Sequence, residues 1–212
     1  MAMRPVFVPS KRVDVDVFMT EFQWNSGMSV SQKRKNIRDL HEAFRKRFPE
    51  RQVLEISSKS EEPLGVALSA FDLPKFVPSL GRSVSVECAY QGSKVFAAGG
   101  PYPDLFGATS REAKKDPRLG ASGMLRGFRF DGTDFPSTRG TTFYDWLYIN
   151  ALLEHPELAE GLLTYDAFTD IEFSPDKSVS CQAGAAARYV SLVRRGVIEQ
   201  CRTMEGFLAQ IR

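Results

Sequence analysis

One segment of the chain combines residue types that can act on a glycosidic bond. Residues 86–94 read Val-Glu-Cys-Ala-Tyr-Gln-Gly-Ser-Lys. On a helix, Glu87, Gln91 and Lys94 lie on one face, because they follow one another at spacings of four and three. A carboxylate there can stabilise or attack the oxocarbenium-like centre that forms when a sugar–nitrogen bond breaks, or activate water. The lysine can neutralise a phosphate or keep the carboxylate ionised. Without further information, these side chains are more typical of an exposed, ion-paired helix face.

The spacing of apolar residues predicts a mixed α+β protein in which helices dominate. Helices are predicted at about 29–48, 87–97, 109–118, 141–153, 155–163, 182–196 and 198–211. Strands are predicted at 13–24, 53–56, 84–86 and 170–173, with a possible edge strand at 5–9. The helix over 87–97 is the element that would hold the three polar side chains together.

The composition excludes several classes of protein. The 212 residues carry 28 basic and 26 acidic side chains, a balance of +2 that does not by itself announce nucleic-acid binding. Cys88, Cys181 and Cys201 are odd in number and form no C-x-x-C pair, which argues against a disulfide framework or a cysteine zinc site. We therefore expect a cytoplasmic protein with no signal peptide, membrane span, metal or cofactor.

Five pieces of sequence, in order over residues 53–176, resemble the NADAR family. Ser57-Ser58-Lys59-Ser60, followed by Pro63-Leu64-Gly65 and Leu68-Ser69-Ala70-Phe71, is similar to the family's opening, a Y-S-K-like turn that leads through P-x-G to L-S-N-F. Residues 87–94 are similar to its helix signature E-H-x-Y-Q-x-x-K. Residues 110–115, 157–163 and 170–175 resemble its later segments.

The chain departs from the family pattern at both ends and at two motif positions. Cys88 replaces the histidine of the helix signature, and Ala70 replaces the asparagine of L-S-N-F. The closing D-x-x-W-G-x-G is absent after Ser174-Pro175. The altered beginning and end resemble the NADAR branch that is paired with DNA-targeting ADP-ribosyltransferase toxins of the DarT type.

The resemblance implies a fold and a function. We expect a mainly helical, NADAR-like α+β domain over residues 51–212 with a small β-sheet, preceded by a strand–helix extension over residues 1–50. The implied activity is that of an ADP-ribosyl glycohydrolase, which removes ADP-ribose from guanine in DNA and so acts as an antitoxin. The implied ligand is ADP-ribose, and the implied partners are ADP-ribosylated DNA and a genetically paired DarT-type toxin, with no membrane partner.

The resemblance also implies site residues. Glu87 is the first catalytic candidate, and Glu172 or Asp170 is the second carboxylate, since paired carboxyl groups can divide acid and base roles. The expected ligand-binding residues are the diphosphate contacts Lys94, Lys59 and Arg111, the hydrogen-bonding Ser57, Ser58 and Gln91, and the stacking rings Phe71 and Tyr90.

Three other functions remain open at this point. The chain could bind ADP-ribose without cleaving it, act as an N-glycosidase on phosphorylated ribosylamine intermediates, or neutralise a toxin by direct binding. A run of basic residues between Lys33 and Arg47 on the first predicted helix is typical of a solvated face, and its alternative role is to contact a polyanion.

Overall fold

A computed structural model describes residues 1–10, 14–137, 141–176 and 179–211. The strands are β1 (Ala2–Pro9), β2 (Val15–Phe22), β3 (Val53–Glu55), β4 (Pro74–Val77), β5 (Arg82–Ser85), β6 (Lys94–Phe96), β7 (Leu125–Phe130), β8 (Thr133–Pro136) and β9 (Ala167–Thr169). The helices are α1 (Val30–Arg47), α2 (Pro63–Ala67), α3 (Val86–Gly92), α4 (Ser110–Lys115), α5 (Arg118–Ala121), α6 (Thr142–Leu152), α7 (Pro156–Leu162), α8 (Gln182–Arg194) and α9 (Met204–Gln210). Short 3₁₀ turns occupy Pro78–Leu80, Pro103–Gly107 and Ile198–Arg202.

The central sheet places the ends of two distant strands side by side. Its strand order is β2-β1-β9-β3, and β1 runs antiparallel to both of its neighbours. Strands β3 and β9 are parallel, with Glu55 opposite Thr169. Because parallel strands end at the same edge of a sheet, the loops that follow β3 and β9 meet there.

Helices cover both faces of this sheet. Val6 and Val8 of β1 pack with Leu40 and Phe44 of α1 on one face, as the alternation of side chains along a strand requires. On the other face, a Cβ added at Gly184 of α8 would meet the ring of Phe7 at 3.3 Å. The alanine-rich start of α8 therefore lets the helix lie close against the sheet.

Two smaller sheets complete the molecule. β4 pairs with β5, and β6, β7 and β8 form a three-stranded antiparallel sheet. α3 follows β5 directly, and its first turn is fixed by hydrogen bonds from the backbone N–H of Val86 to the carbonyl of Leu73 and from that of Glu87 to the carbonyl of Ala70. Among the described residues, no helix is long and apolar enough to cross a membrane.

The predicted α+β class and most predicted helices are confirmed. Ser29 caps α1 by accepting a hydrogen bond from the N–H of Gln32. Thr109 caps α4 in a capping box with Glu112. The strand predicted from residue 13 begins at Val15 in the described part of the chain, and residues 11–13 lie outside it.

The predicted helix over 87–97 is too long. α3 ends at Gly92, where a Cβ would meet the ring of Phe106 at 2.5 Å. Lys94 then begins β6, opposite Phe128 of β7. The backbone hydrogen bonds of this sheet replace those of a continued helix, so Lys94 is not on the helix face that the spacing predicted.

Three other boundaries differ from the prediction. The strand expected at 170–173 is a turn that follows β9, in which the Asp170 side chain accepts a hydrogen bond from the N–H of Glu172. The helix expected at 198–211 is divided, because Thr203 has an extended backbone and caps α9. The possible edge strand at 5–9 is part of β1, which lies inside the sheet between β2 and β9.

Candidate functional site

The candidate site lies where the ends of β3 and β9 meet the start of α3. The side chain of Gln182, the first residue of α8, holds this region together. Its Nε2 donates to the carbonyl of Ile56 at 2.7 Å, and its Oε1 accepts from the N–H of Ala70 at 2.7 Å. Because Ala70 in turn accepts the N–H of Glu87, three separate segments are fixed relative to one another.

Glu87 and Gln91 form a buried pair on α3. Glu87 is 5% exposed, and its Oε1 accepts a hydrogen bond of 2.9 Å from Gln91 Nε2. The helical spacing of four therefore brings these two side chains together as predicted. Among the described residues, nothing donates to the buried Oε1 of Gln91. This buried acceptor atom is therefore unpaired within the described part of the chain.

Lys94, the first residue of β6, lies next to Tyr90 of α3. Its Nζ lies 4.6 Å from the centre of the Tyr90 ring. Burial lowers the pKa of Lys94, the charge of Glu87 opposes this effect, and the charge of Lys114 adds to it. A cation that is partly removed from water and lies near a buried carboxylate is suited to binding an anionic ligand.

Tyr90 is part of an aromatic cluster. Its ring stacks on Phe128 at 5.5 Å and meets the edge of Tyr144 at 5.0 Å. Its hydroxyl lies 3.2 Å from that of Ser180. Burial raises the pKa of Tyr90, so the phenol stays protonated at neutral pH. Phe71, by contrast, is half-buried, and Lys114 Nζ lies 5.2 Å from the centre of its ring.

Asp170 is the first residue after β9, and its carboxyl group is buried. Burial raises the pKa of Asp170, and the charge of Glu55 raises it further, whereas the charge of Lys114 opposes the rise. Burial also raises the pKa of Tyr144, with contributions from the charges of Glu87 and Asp170.

Glu172 lies at the rim of this region. Its side chain is 43% exposed and forms an ion pair of 3.3 Å with Lys33 of α1. Lys33 Nζ also lies 5.7 Å from the centre of the Trp24 ring. Glu172 is thus more exposed to solvent than Asp170, although the two residues were equal candidates for the second carboxylate in the sequence.

The loop after β3 contains three predicted ligand-binding residues, of which one is buried and two are partly or fully exposed. Ser57 is buried and donates to Glu55 at 2.7 Å. Ser58 is exposed and accepts from Lys59 Nζ at 2.9 Å. Arg34 of α1 donates to the carbonyl of Lys59 at 3.4 Å. The loop therefore connects the buried carboxyl groups to the basic face of α1.

α4 contributes a lysine that the sequence analysis did not select. Arg111, the predicted diphosphate contact, is exposed on this helix. Lys114, one turn later, lies over the Phe71 ring. Its charge lowers the pKa of both Lys94 and Asp170. The spacing of three between Arg111 and Lys114 was the available signal, since it places both residues on one side of the helix.

A chain of hydrogen bonds joins Glu55, Thr169 and His41, none of which was among the predicted site residues. Thr169 donates to Glu55 Oε2 at 2.6 Å, and His41 Nε2 lies 2.8 Å from the same hydroxyl. A glutamate inside the apolar run Val53-Leu54-Glu55-Ile56 was a signal for such a group, because a buried carboxylate needs partners.

A cleft of about 310 Å³ has Cys181 in its lining. Apolar residues of β1 and β2, together with Phe173, Pro175 and Val179, line most of it, and Asp145 pairs with Arg188 at its wall. Glu87 and Asp170 are not among the described residues that line this cleft. In the described part of the chain, no group of His, Cys, Asp and Glu side chains is arranged to hold a metal ion.

A match to a family model shows which known proteins this chain is related to. The model described as DarT1-associated NADAR antitoxin matches residues 2–212. The chain belongs to this family. The resemblance to the DarT-paired branch is thereby confirmed, and the match includes the first fifty residues, which lay outside the motifs. This NADAR protein is an antitoxin associated with a DarT1 toxin. No similar protein was found among the curated proteins.

Proposed function

We propose that this NADAR antitoxin is an ADP-ribosyl glycohydrolase that removes ADP-ribose from guanine in DNA and so reverses the action of its DarT1 toxin. The observation that carries the proposal is the pair of buried carboxyl groups, Glu87 at the start of α3 and Asp170 directly after β9, in the region that the side chain of Gln182 holds together. Two carboxyl groups in different environments are what acid-assisted cleavage of a glycosidic bond requires.

The environments of these two carboxyl groups support different roles. Asp170 has a raised pKa and is suited to donate a proton to the departing base. Glu87, which accepts from Gln91 and lies near the charge of Lys94, is suited to stabilise the positive charge on the sugar and to activate water. We therefore assign the second carboxyl role to Asp170 in preference to Glu172, which pairs with Lys33 at the rim.

The surrounding side chains match the parts of ADP-ribose. Lys94 and Lys114 supply positive charge for the diphosphate, with Lys59 and Arg111 farther out. The acceptor atom Oε1 of Gln91 can receive a ribose hydroxyl. Phe71, with its half-buried ring, is the site's candidate for stacking on a base.

The first experiment is to follow the release of ADP-ribose from DNA that carries ADP-ribosylated guanine. We expect the wild-type protein to release it and Glu87→Gln to lose about 100-fold or more in kcat, because the amide keeps the shape but cannot hold the charge. Glu199→Gln is the matched control, since Glu199 is 70% exposed and pairs with Arg202 of its own turn.

The other outcomes identify the competing functions. Binding of ADP-ribose with no release by the wild type would make the protein a binding module. Release from phosphorylated ribosylamines, but not from DNA, would make it a small-molecule N-glycosidase. A stable complex with the toxin that Glu87→Gln leaves unchanged, with no release from DNA, would assign the antitoxin effect to direct binding.

A further inference from the structure

One face of the strands β1 and β2 forms the apolar wall of the cleft. Pro5 is opposite Met19 and Phe7 is opposite Val17 in the antiparallel register, so these four side chains lie on the same face. The other face of the two strands packs against α1. β2 is the edge strand of the sheet, and Val17 and Met19 are 53% and 48% exposed. The cleft is therefore open to solvent along the edge of the sheet.

The cleft also contains a carboxylate oxygen that has no hydrogen-bond donor. Asp145 of α6 is among the lining residues, and its side chain is only 3% exposed. Its Oδ2 accepts from the hydroxyl of Thr141 and from Nη1 of Arg188. Within the described part of the chain, nothing donates to its Oδ1. A buried carboxylate oxygen without a donor is costly, so this atom is suited to accept from a ligand.

Arg188 of α8 supplies hydrogen-bond donors to the same cleft. Its Nε and Nη2 donate to Asp14, and its Nη1 donates to Asp145. Each terminal nitrogen of a guanidinium carries two N–H groups, and these bonds use one of each pair. The described residues supply no acceptor for the second N–H of either nitrogen. A free acceptor and free donors therefore accompany the apolar wall.

The size and chemistry of the cleft fit one flat polar heterocycle. Its volume of about 310 Å³ is at the lower end of the roughly 300–1,000 Å³ of small-ligand pockets. A nucleobase has apolar faces and an edge of hydrogen-bond donors and acceptors. Proteins hold unstacked bases against aromatic and apolar side chains and bond to that edge. The half-buried rings of Phe7 and Phe173, whose centres are 6.3 Å apart, line the cleft and offer such contact.

The cleft and the candidate site are in contact through Ser180. This residue lies between two lining residues of the cleft, and its hydroxyl is 3.2 Å from that of Tyr90, one turn after Glu87 on α3. Glu87 and Asp170 themselves do not line the cleft within the described part of the chain. A base that is cleaved between these two carboxyl groups lies against them. The cleft therefore fits a different base of the same DNA strand.

We propose that the cleft is a second nucleobase site, which holds an unpaired guanine near the ADP-ribosylated base in single-stranded DNA. Guanine fits the polar groups because its neighbouring N–H donors can reach the Asp145 carboxylate while its carbonyl oxygen accepts from Arg188. This edge is engaged when guanine is paired, so the cleft selects single strands. The inference deepens the proposed function and rests on it for the place of the modified base.

The test without turnover is the binding of unmodified, fluorescein-labelled oligonucleotides, followed by fluorescence anisotropy. One probe is a single strand of thymines, the second is the same strand with one guanine, and the third is the second probe annealed to its complement. We expect the wild type to bind the guanine strand about 10-fold more tightly than the thymine strand, as for one discriminated base. Annealing should abolish this preference.

Asp145→Asn is the specific variant, because the amide keeps the shape of the side chain but replaces the free acceptor by a donor. The preference for the guanine strand should disappear, and binding of the thymine strand should not change. Val17→Asp, on the exposed wall, is a second variant should Asp145→Asn fail to fold, and it should weaken binding of the guanine strand by about 10-fold. Leu80→Asp, between β4 and β5 and 43% exposed, is the matched control.

Two results of the binding test would overturn the proposal. The first is equal binding of the guanine and thymine strands by the wild type, or a preference that both variants retain when folded. The second is a Val17→Asp protein that binds and cleaves DNA like the wild type but no longer protects cells from the toxin. That result would assign the cleft to a protein partner.

The release of ADP-ribose separates this inference from the proposed function. For the wild type, a guanine near the modified base should lower KM about 10-fold relative to thymine, and Asp145→Asn should remove the difference. A guanine preference in binding without release by the wild type would reject the proposed function and leave the nucleobase site in place. Release from DNA with no preference in binding or in KM would reject this inference alone.

Discussion

At the scale of single residues, Gln182 shows how one side chain can assemble a site. Its amide group bonds to the backbone of Ile56 and of Ala70, which belong to segments more than 100 positions away along the chain. Neither bond touches a candidate catalytic atom. Both fix the place where Glu87 begins α3, because Ala70 accepts the N–H of Glu87.

We predict that Gln182→Ala lowers the free energy of unfolding by roughly 2 kcal/mol or more, since it leaves one buried backbone donor and one acceptor unpaired. Urea denaturation measures the change, and Gln52→Ala, at an exposed position, is the control. ADP-ribose release should also fall in Gln182→Ala while the protein is folded. An unchanged urea midpoint in Gln182→Ala would show that water replaces both hydrogen bonds of the lost side chain.

At the scale of elements, α1 carries basic residues in two different settings. Arg34 and Lys33 contact the rim of the site through Lys59 and Glu172. At the other end of the helix, Arg47 lies over the rings of Phe18 and Phe48. The half of α1 that adjoins the rim is thus the half that a DNA strand bound at the site would reach.

We predict that Arg34→Ala weakens binding to ADP-ribosylated DNA and lowers the slope of log K against log salt by about 0.7–0.9, the value for one lost phosphate contact. The measurement uses the Glu87→Gln background, so that the substrate is not consumed. Lys46→Ala is the matched control, because Lys46 is on the same helix and pairs with Glu42. Equal salt slopes for Arg34→Ala and Lys46→Ala would show that the basic side chains of α1 are only solvated and do not contact DNA phosphates.

At the scale of the whole molecule, His41 links α1 to the centre of the sheet. Burial lowers its pKa to about 3, and the charge of Arg45 adds to the effect. The unfolded chain binds this proton with the ordinary pKa of 6.5, so between pH 6.5 and 3 the unfolded state takes up more protons than the folded state. Stability contributed by neutral His41 is therefore present above pH 6.5 and lost as the pH falls.

We predict that the free energy of unfolding of the wild type falls by about 3 kcal/mol more than that of His41→Asn when the pH is lowered from 6.5 to 4. Denaturant titrations of both proteins at each pH measure the difference. Parallel curves for the two proteins would show that the His41 ring is protonated in the folded state without cost.

The sequence by itself determined the features that depend on neighbours within one helical turn. The Glu87–Gln91 pair and the helix starts near residues 29 and 109 were predicted because helical spacing and capping involve residues three or four positions apart. The order of the motifs also indicated the NADAR family, which the family match confirmed.

The tertiary structure decided everything that depends on pairing between distant segments. Lys94 is on a strand because β6 pairs with β7, whose residues lie more than 30 positions later. Glu55 meets the neighbours of Asp170 because β3 and β9 are parallel and in register across a separation of 114 positions. No periodicity in the sequence records such a register, since it follows from how the sheet packs against α1 and α8.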